Sequence, residues 1–195
     1  MEYKEYIRNS WREDLNVKET DDLPYVLLTE AINQSILRGA TEISVTYDGR
    51  TILVMDNAEP FEGKLESLLY ESVGMMNDEA AHIRRLSNRQ WSPRPYAVIN
   101  ALCKRFTLMS ADGGILKSVI CEDGEITTSS TTKVDVKRGN VVIMVPMLFL
   151  ENISAEFMES LIDYINYDFP KVTILFNSKV EEAEEYEEED GNMTN

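Results

Sequence analysis

Apolar and small residues recur at two spacings along this chain, and the switches between them mark the elements. Leu27, Leu28, Ala31, Ile32, Ser35 and Ile36 fall at helical spacing and predict a helix over residues 23–38. Asp21 or Asp22 can cap it, Pro24 suits its first turn, and Gly39 is placed to end it in the left-handed conformation. The spacing then drops to two. Ile43, Val45 and Tyr47 of "EISVTYD" share one face of a strand, Asp48-Gly49 signals a hairpin turn, and "TILVM" at 51–55 returns. Earlier, residues 2–11 pattern as a short amphipathic helix with Tyr3, Tyr6, Ile7 and Trp11 on its apolar side. Later, residues 63–72 read as helical, and 73–92 are polar without a clear period. A helix is predicted at about 95–105 and strands at about 106–111, 114–121, 125–132 and 140–146. A helix at 154–168, capped by Ser154, and a last strand "VTILFN" complete the order. Helix, hairpin, helices, antiparallel strands, helix and strand make an α+β layout. The expected architecture is a two-layer sandwich, a mixed or antiparallel sheet covered on one face by helices.

Composition sharpens this picture in a few places. A chain of 195 residues fits one domain, here 21–178, with an N-terminal arm at 1–20 and an acidic tail at 179–195. Cys103 and Cys121 sit in apolar contexts and read as buried thiols of a reduced compartment. No run approaches the ~18 apolar residues of a membrane span, and "MEYKEYIRNS" has no signal-peptide character. A soluble, cytoplasmic protein without a membrane partner is expected. Half of the formal net charge of −16 lies in residues 181–190, which carry eight acids and no base. Such a run reads as a solvated end, or as a dock for a basic partner or nucleic-acid mimic. The acidic body argues against stable duplex DNA binding, which needs many cation–phosphate contacts. His82 is the only histidine, which excludes a His-based metal site or triad, and Met75-Met76 reads as packing.

The candidate chemistry lies between helix 23–38 and the end of the hairpin. Glu30 and Gln34, at i and i+4, point from one helical face whose neighbours are apolar. A carboxylate there is costly unless paired or used. Asp56-Asn57 stops an apolar strand and delivers a second carboxylate to its end. The stretch "LLTEAINQSILRGATEISVTYDGRTILVMDNAEPF" resembles the ATP site of the GHKL superfamily, which includes DNA gyrase B subunits, MutL proteins, heat-shock chaperones and histidine kinases. Gyrase B is the nearest likeness: Glu-x-x-x-Asn on a helix, a hairpin, then Asp-x-Gly-x-Gly. "YAVINALCKRFTLMSADGGILKSVICEDGE" and "GNVVIMVPMLFL" continue the likeness, so that about residues 20–178 are covered in order.

The resemblance implies a Bergerat-type fold, ATP with Mg²⁺, and particular roles. Glu30 matches the general base and Gln34 the amide that coordinates Mg²⁺, here one methylene longer. Asp56 matches the carboxylate that accepts from the adenine amine, with Asn57 and Ala58 in its turn. Asn140 sits where the family has an assisting Thr, and Arg94 lies in the lid stretch. The departures are as plain. Ala58 and Pro60 replace the two glycines, and Pro93 and Pro95 replace lid glycines whose backbone would approach phosphate. Arg84, Arg85, Arg89 and Arg94 either substitute for those donors or form a solvated basic face. Within this chain no stretch resembles the family's transducer, which supplies a lysine to the γ-phosphate, or its DNA-cleaving segments. At the pocket mouth the family's acid–arginine pair is reversed to Arg38 and Glu59, which are expected to pair across the rim. Two functions follow: an ATP-binding module with weak or no hydrolysis, or a pseudo-ATPase that acts through a protein partner or as a homodimer.

Overall fold

The computed structural model describes residues 5, 8, 23–69, 95–147 and 155–178. Helix α1 spans Leu23–Leu37, and a hairpin of β1 (Glu42–Tyr47) and β2 (Ile52–Asp56) follows. A 3-10 turn at Leu65–Leu69 and helix α2 at Pro95–Leu102 lead into β3 (Cys103–Asp112), β4 (Ile115–Glu122), β5 (Glu125–Lys133) and β6 (Arg138–Pro146). Helix α3 at Ala155–Asp168 and β7 at Thr173–Ser178 close the order. The strands form one seven-stranded sheet in the order β5-β4-β3-β6-β2-β1-β7. Every neighbouring pair is antiparallel except β1 with β7. The α+β sandwich with a mixed sheet is therefore the fold.

Alternation decides which face is covered. Ile43, Val45 and Tyr47 of β1, Ile52 and Val54 of β2, and Val142 and Met144 of β6 are buried, with their strand neighbours partly or fully exposed. Against them lie Leu27, Leu28, Ala31 and Ile32 of α1, all of α2, and Leu161, Ile162 and Ile165 of α3. Each large aliphatic side chain so buried contributes roughly 1.5–3 kcal/mol.

Helix α1 ends as its sequence suggests. Gly39 takes φ +80°, its N–H bonds to Ile36 O at 2.9 Å, and the Ala40 N–H bonds to Ser35 O at 3.0 Å. This paired Schellman closure fixes Arg38 as the last residue before the turn. Other boundaries differ from the pattern. The helix expected at 63–72 is, as far as it is described, a single 3-10 turn beginning after Gly63, whose φ is +73°. Helix α2 stops at Leu102, because Cys103 already pairs with Pro146 of β6 and starts the strand expected at 106. The N-terminal helix apart from residues 5 and 8, the stretch 70–94 with Pro93, Arg94 and His82, the Ser154 cap and the acidic tail lie outside the described residues. Arg8 is described: its Nε donates to Ala101 O at 2.8 Å and its Nη2 pairs with Asp123 at 2.8 Å.

Candidate functional site

The hairpin register aims the site. Asp56 ends β2 directly opposite Asn140 of β6, and α1 crosses above the same strand end. Gly139 makes that approach feasible: with φ +133°, a Cβ built there would stand 2.6 Å from Asp56 O. Only glycine fits so close a pass.

Among the described residues, the Asp56 carboxylate accepts four hydrogen bonds. Ser35 Oγ donates to Oδ2 at 2.6 Å. Oδ1 takes the Ala58 N–H at 3.0 Å, the Asn140 N–H at 3.2 Å and Asn140 Nδ2 at 2.9 Å. Three of the four donors crowd Oδ1, and Oδ2, with Ser35 as its donor among the described residues, keeps an acceptor position. Ser35 and Asn140 are each 2% exposed, and the two side-chain bonds they make are charge-assisted. Asn140 Nδ2 also reaches Glu59 O at 3.1 Å, while its Oδ1 is buried without a hydrogen-bond partner.

The residues around this node are equally engaged. Asn57 faces the start of β1: its Oδ1 accepts from Thr41 N at 2.9 Å and Glu42 N at 3.1 Å, and its Nδ2 donates to Thr41 Oγ1 at 2.9 Å. Ala58 is fully buried. Gln34 is buried too, and its Nε2 points at Glu30 Oε1, 3.3 Å away. The structure thus joins Glu30 to Gln34 and Asp56 to Ala58 and Asn140; Arg94 is outside the described residues.

The expected rim pair is rewired. The Glu59 carboxylate bonds Arg138 Nη1 at 2.9 Å, with both side chains well exposed. Arg38 Nη2 donates instead to the Glu59 backbone carbonyl at 2.6 Å, and the Glu59 N–H bonds back to Arg38 O at 3.2 Å. The correction has a physical reason. The guanidinium lies 3.7 Å over the Phe61 ring centre, turned inward, and Glu59 points out to solvent. Phe61 meets Tyr96 edge to face at 5.2 Å and 88°, and its N–H bonds Ser110 Oγ at 3.0 Å. Burial lowers the Arg38 pKa, against the opposing pull of Tyr96, Asp56, Glu59 and Glu62. Burial likewise raises the Tyr96 phenol; the charges of Asp56 and Glu30 add to this and Arg38 opposes it. Tyr96 therefore sits within electrostatic reach of both carboxylates.

Sequence reasoning did not place Ser35, Phe61, Tyr96, Gly139 or Arg138 at the site. Ser35 carried a usable signal, a hydroxyl on an otherwise apolar helix face. The others meet Asp56 or Arg38 only through the fold.

The donor set can be tested against ATP and Mg²⁺. At the base end, Asp56 Oδ1 takes three internal donors while Oδ2 takes Ser35 Oγ and keeps an acceptor position, and Phe61, Tyr96 and Arg38 lie on the flank. At the phosphate end, Gln34 Nε2 donates to Glu30 Oε1 at 3.3 Å. Among the described residues no cluster of three or more His, Cys, Asp or Glu could hold a metal ion.

Comparison with solved structures defines the class of fold. The chain is similar to a topoisomerase IV ATP-binding domain of Francisella tularensis, solved in complex with a small-molecule inhibitor. The TM-score is 0.58 at 19% identity, over 80% of this chain and 81% of that one. The chain thus shares the fold of that ATP-binding domain. No protein-family model matches the sequence, and none of the curated proteins compared with it does. Among the described residues no helix is long and apolar enough to cross a membrane.

Proposed function

We propose that this chain is a GHKL-fold module of the nucleotide-binding type that does not turn over ATP, and that it works as an interaction or regulatory domain. One observation carries the reading: the Asp56 carboxylate accepts four hydrogen bonds from Ser35, Ala58 and Asn140. These bonds tie α1, β2 and β6 together through the carboxylate, and three of them crowd Oδ1. The Glu30–Gln34 contact supports the same reading, since it points a donor at the expected base. The partner is another protein or a second copy of this chain, and the net charge of −16 disfavours a stable duplex DNA complex. Phosphate release from ATP and Mg²⁺ by the full chain tests this. Release at background, unchanged by Glu30→Gln, is expected; turnover abolished by Glu30→Gln would overturn the proposal.

A second reading, ATP binding without hydrolysis, is favoured by Asp56 Oδ2, which carries a single donor on a half-buried residue. A thermal shift separates the two. A ligand at 100 times its dissociation constant adds about 2.7 kcal/mol of apparent stability, and the first reading expects none with ATP.

A further inference from the structure

We infer that β5 is a docking edge for a second copy of this chain: the two β5 strands pair antiparallel about Thr131, so that Ser129 of each lies opposite Lys133 of the other. The inference deepens the reading of this chain as an interaction module by naming a second copy as its partner.

The two edges of the sheet are finished differently. At one end, the Thr173 N–H of β7 bonds to Thr41 O beside β1, so the next N–H, of Ile174, turns outward. Asn166 Oδ1 of α3 caps it at 3.1 Å. At the other end β5 runs nine residues, Glu125–Lys133, and all but Ile126 are exposed. Among the described residues nothing pairs with its outer side. Residues 126–132 hold six Ser or Thr side chains and no charge or proline, the residues that usually blunt an open edge.

Hydrogen bonding fixes which groups point out. The Val134 N–H bonds to Gly114 O at 2.9 Å, and Lys133 stands opposite Ile115. Antiparallel pairs alternate, so Thr132, Ser130 and Thr128 bond to β4 while Lys133, Thr131 and Ser129 turn both backbone groups outward. The alternation ends at Thr127, the extra residue between the Ile120–Thr128 and Cys121–Ile126 pairs. The open ladder is therefore 129–133, and its centre is Thr131. A copy centred there makes about six backbone hydrogen bonds, shared between the Thr131 pair and the two Ser129–Lys133 pairs.

Side chains match in the same register. Ser129 lies opposite buried Val119, on the helix-bearing face, and its Oγ donates to the Glu66 carboxylate. That bond lowers the Glu66 pKa and keeps the group charged. Among the described residues neither Glu66 nor Lys133 makes an ion pair, and nearby Lys117 gives its ammonium to Gly63 O at 2.9 Å. Residues directly opposite in an antiparallel pair share a face, so the Lys133 of each copy arrives beside the Glu66 of the other. On the open face, Ser118 Oγ and Ser130 Oγ bond at 2.8 Å, and Thr132 of the second copy extends that row. The contact is small, so the expected dissociation constant is micromolar, roughly 1–100 μM.

Sedimentation equilibrium of the full-length chain tests this, at about 0.15 M salt so that the net charge of −16 is screened beyond about 8 Å. The wild type is expected to dimerise. Thr131→Pro removes an outward N–H, at a place where an edge strand tolerates proline, and is expected to weaken dimerisation at least tenfold. Lys133→Glu and Glu66→Lys each set like charges together and are each expected to weaken it about tenfold. An equimolar mixture of these two, in which the facing charges are opposite again, is expected to regain the wild-type affinity. Circular dichroism checks folding, and if Thr131→Pro does not fold, the mixture decides. A wild type still monomeric at roughly 1 mM overturns the inference, as does equal dimerisation by the wild type and a folded Thr131→Pro, or a mixture no tighter than its components. Phosphate release by the wild type is read separately: turnover sinks the proposed function, whereas a monomer sinks only the β5 contact.

Discussion

Asp56→Ala separates a structural carboxylate from one kept for a ligand. The substitution removes the acceptor of four bonds, of which two come from the buried side chains of Ser35 and Asn140, at 2.6 and 2.9 Å. A hydrogen bond to a charged group contributes about 1.5–3 kcal/mol, and a buried donor left bare costs a similar amount. The four bonds share one acceptor and cannot be summed. Counting only the two buried side-chain donors gives a loss of about 3–5 kcal/mol. That is a large part of the roughly 5–15 kcal/mol by which a domain is stable. For a domain of this size it corresponds to a fall in Tm of roughly 6–20 °C. Ser35→Ala removes one donor and leaves the carboxylate its other three, so it should cost about 1–2 kcal/mol. Thermal melts by circular dichroism, with urea titrations to check that the m-value is unchanged, measure both. A carboxylate held in place for a ligand is commonly kept at the expense of stability, and truncating it is neutral or stabilising. A Tm for Asp56→Ala at or above that of the wild type would therefore refute the node.

Two further outcomes are expected. Gly139→Ala would place a Cβ 2.6 Å from Asp56 O at φ +133°, and should cost about 2–5 kcal/mol from overlap and backbone strain together; Gly39→Ala, with nothing within 4 Å of its Cβ, should cost only the roughly 1–2 kcal/mol of its left-handed backbone, and equal losses in a urea titration would remove the close approach as the cause. Burial pushes the Cys121 thiol up to about 11 and raises Cys103 as well; because an unfolded thiol ionises near about 8.5, the native state retains protons that the unfolded state gives up, so stability is full below that pH and falls as pH rises toward 11, and a melting temperature flat from pH 8 to pH 10.5 contradicts the assignment.

How much of this was legible depended on sequence distance. The α1 face, the Gly39 closure and the β1–β2 hairpin rest on neighbours within a few residues, and the pattern located them. The end of α2 did not, because Cys103 is taken into the sheet by Pro146, a partner far along the chain. The stretch after Gly63 carries a helical pattern, yet its described part closes only a 3-10 turn. At the site, Glu30, Gln34 and Asp56 could be singled out as polar groups in apolar settings. Their partners could not. Ser35 meets Asp56 across 21 positions and Asn140 across 84, and Phe61 and Tyr96 become a platform only when the loop after β2 folds beneath the end of α1. A carboxylate stands out in a sequence; whether its lone pairs are already taken is a property of the fold.

The rim takes its shape from the inward contacts of Arg38 rather than from a side-chain pair with Glu59. An acid at position 38 could neither donate to the Glu59 carbonyl nor stack on Phe61 as a cation, so it would leave that space open. Arginine does both, at 2.6 Å and 3.7 Å, and as a cation it also suits the C-terminal end of α1. Glu59 is then released from the pocket, and its exposed pair with Arg138 at 2.9 Å contributes at most about 1 kcal/mol. The inward bonds are the ones that matter. Arg38 and Asn140 converge on one carbonyl while Asn140 also holds Asp56, so the loop after β2 is tied down from within. Arg38, Asn140 and Asp56 thus join the end of α1, the loop after β2 and the start of β6 in one connected set of bonds.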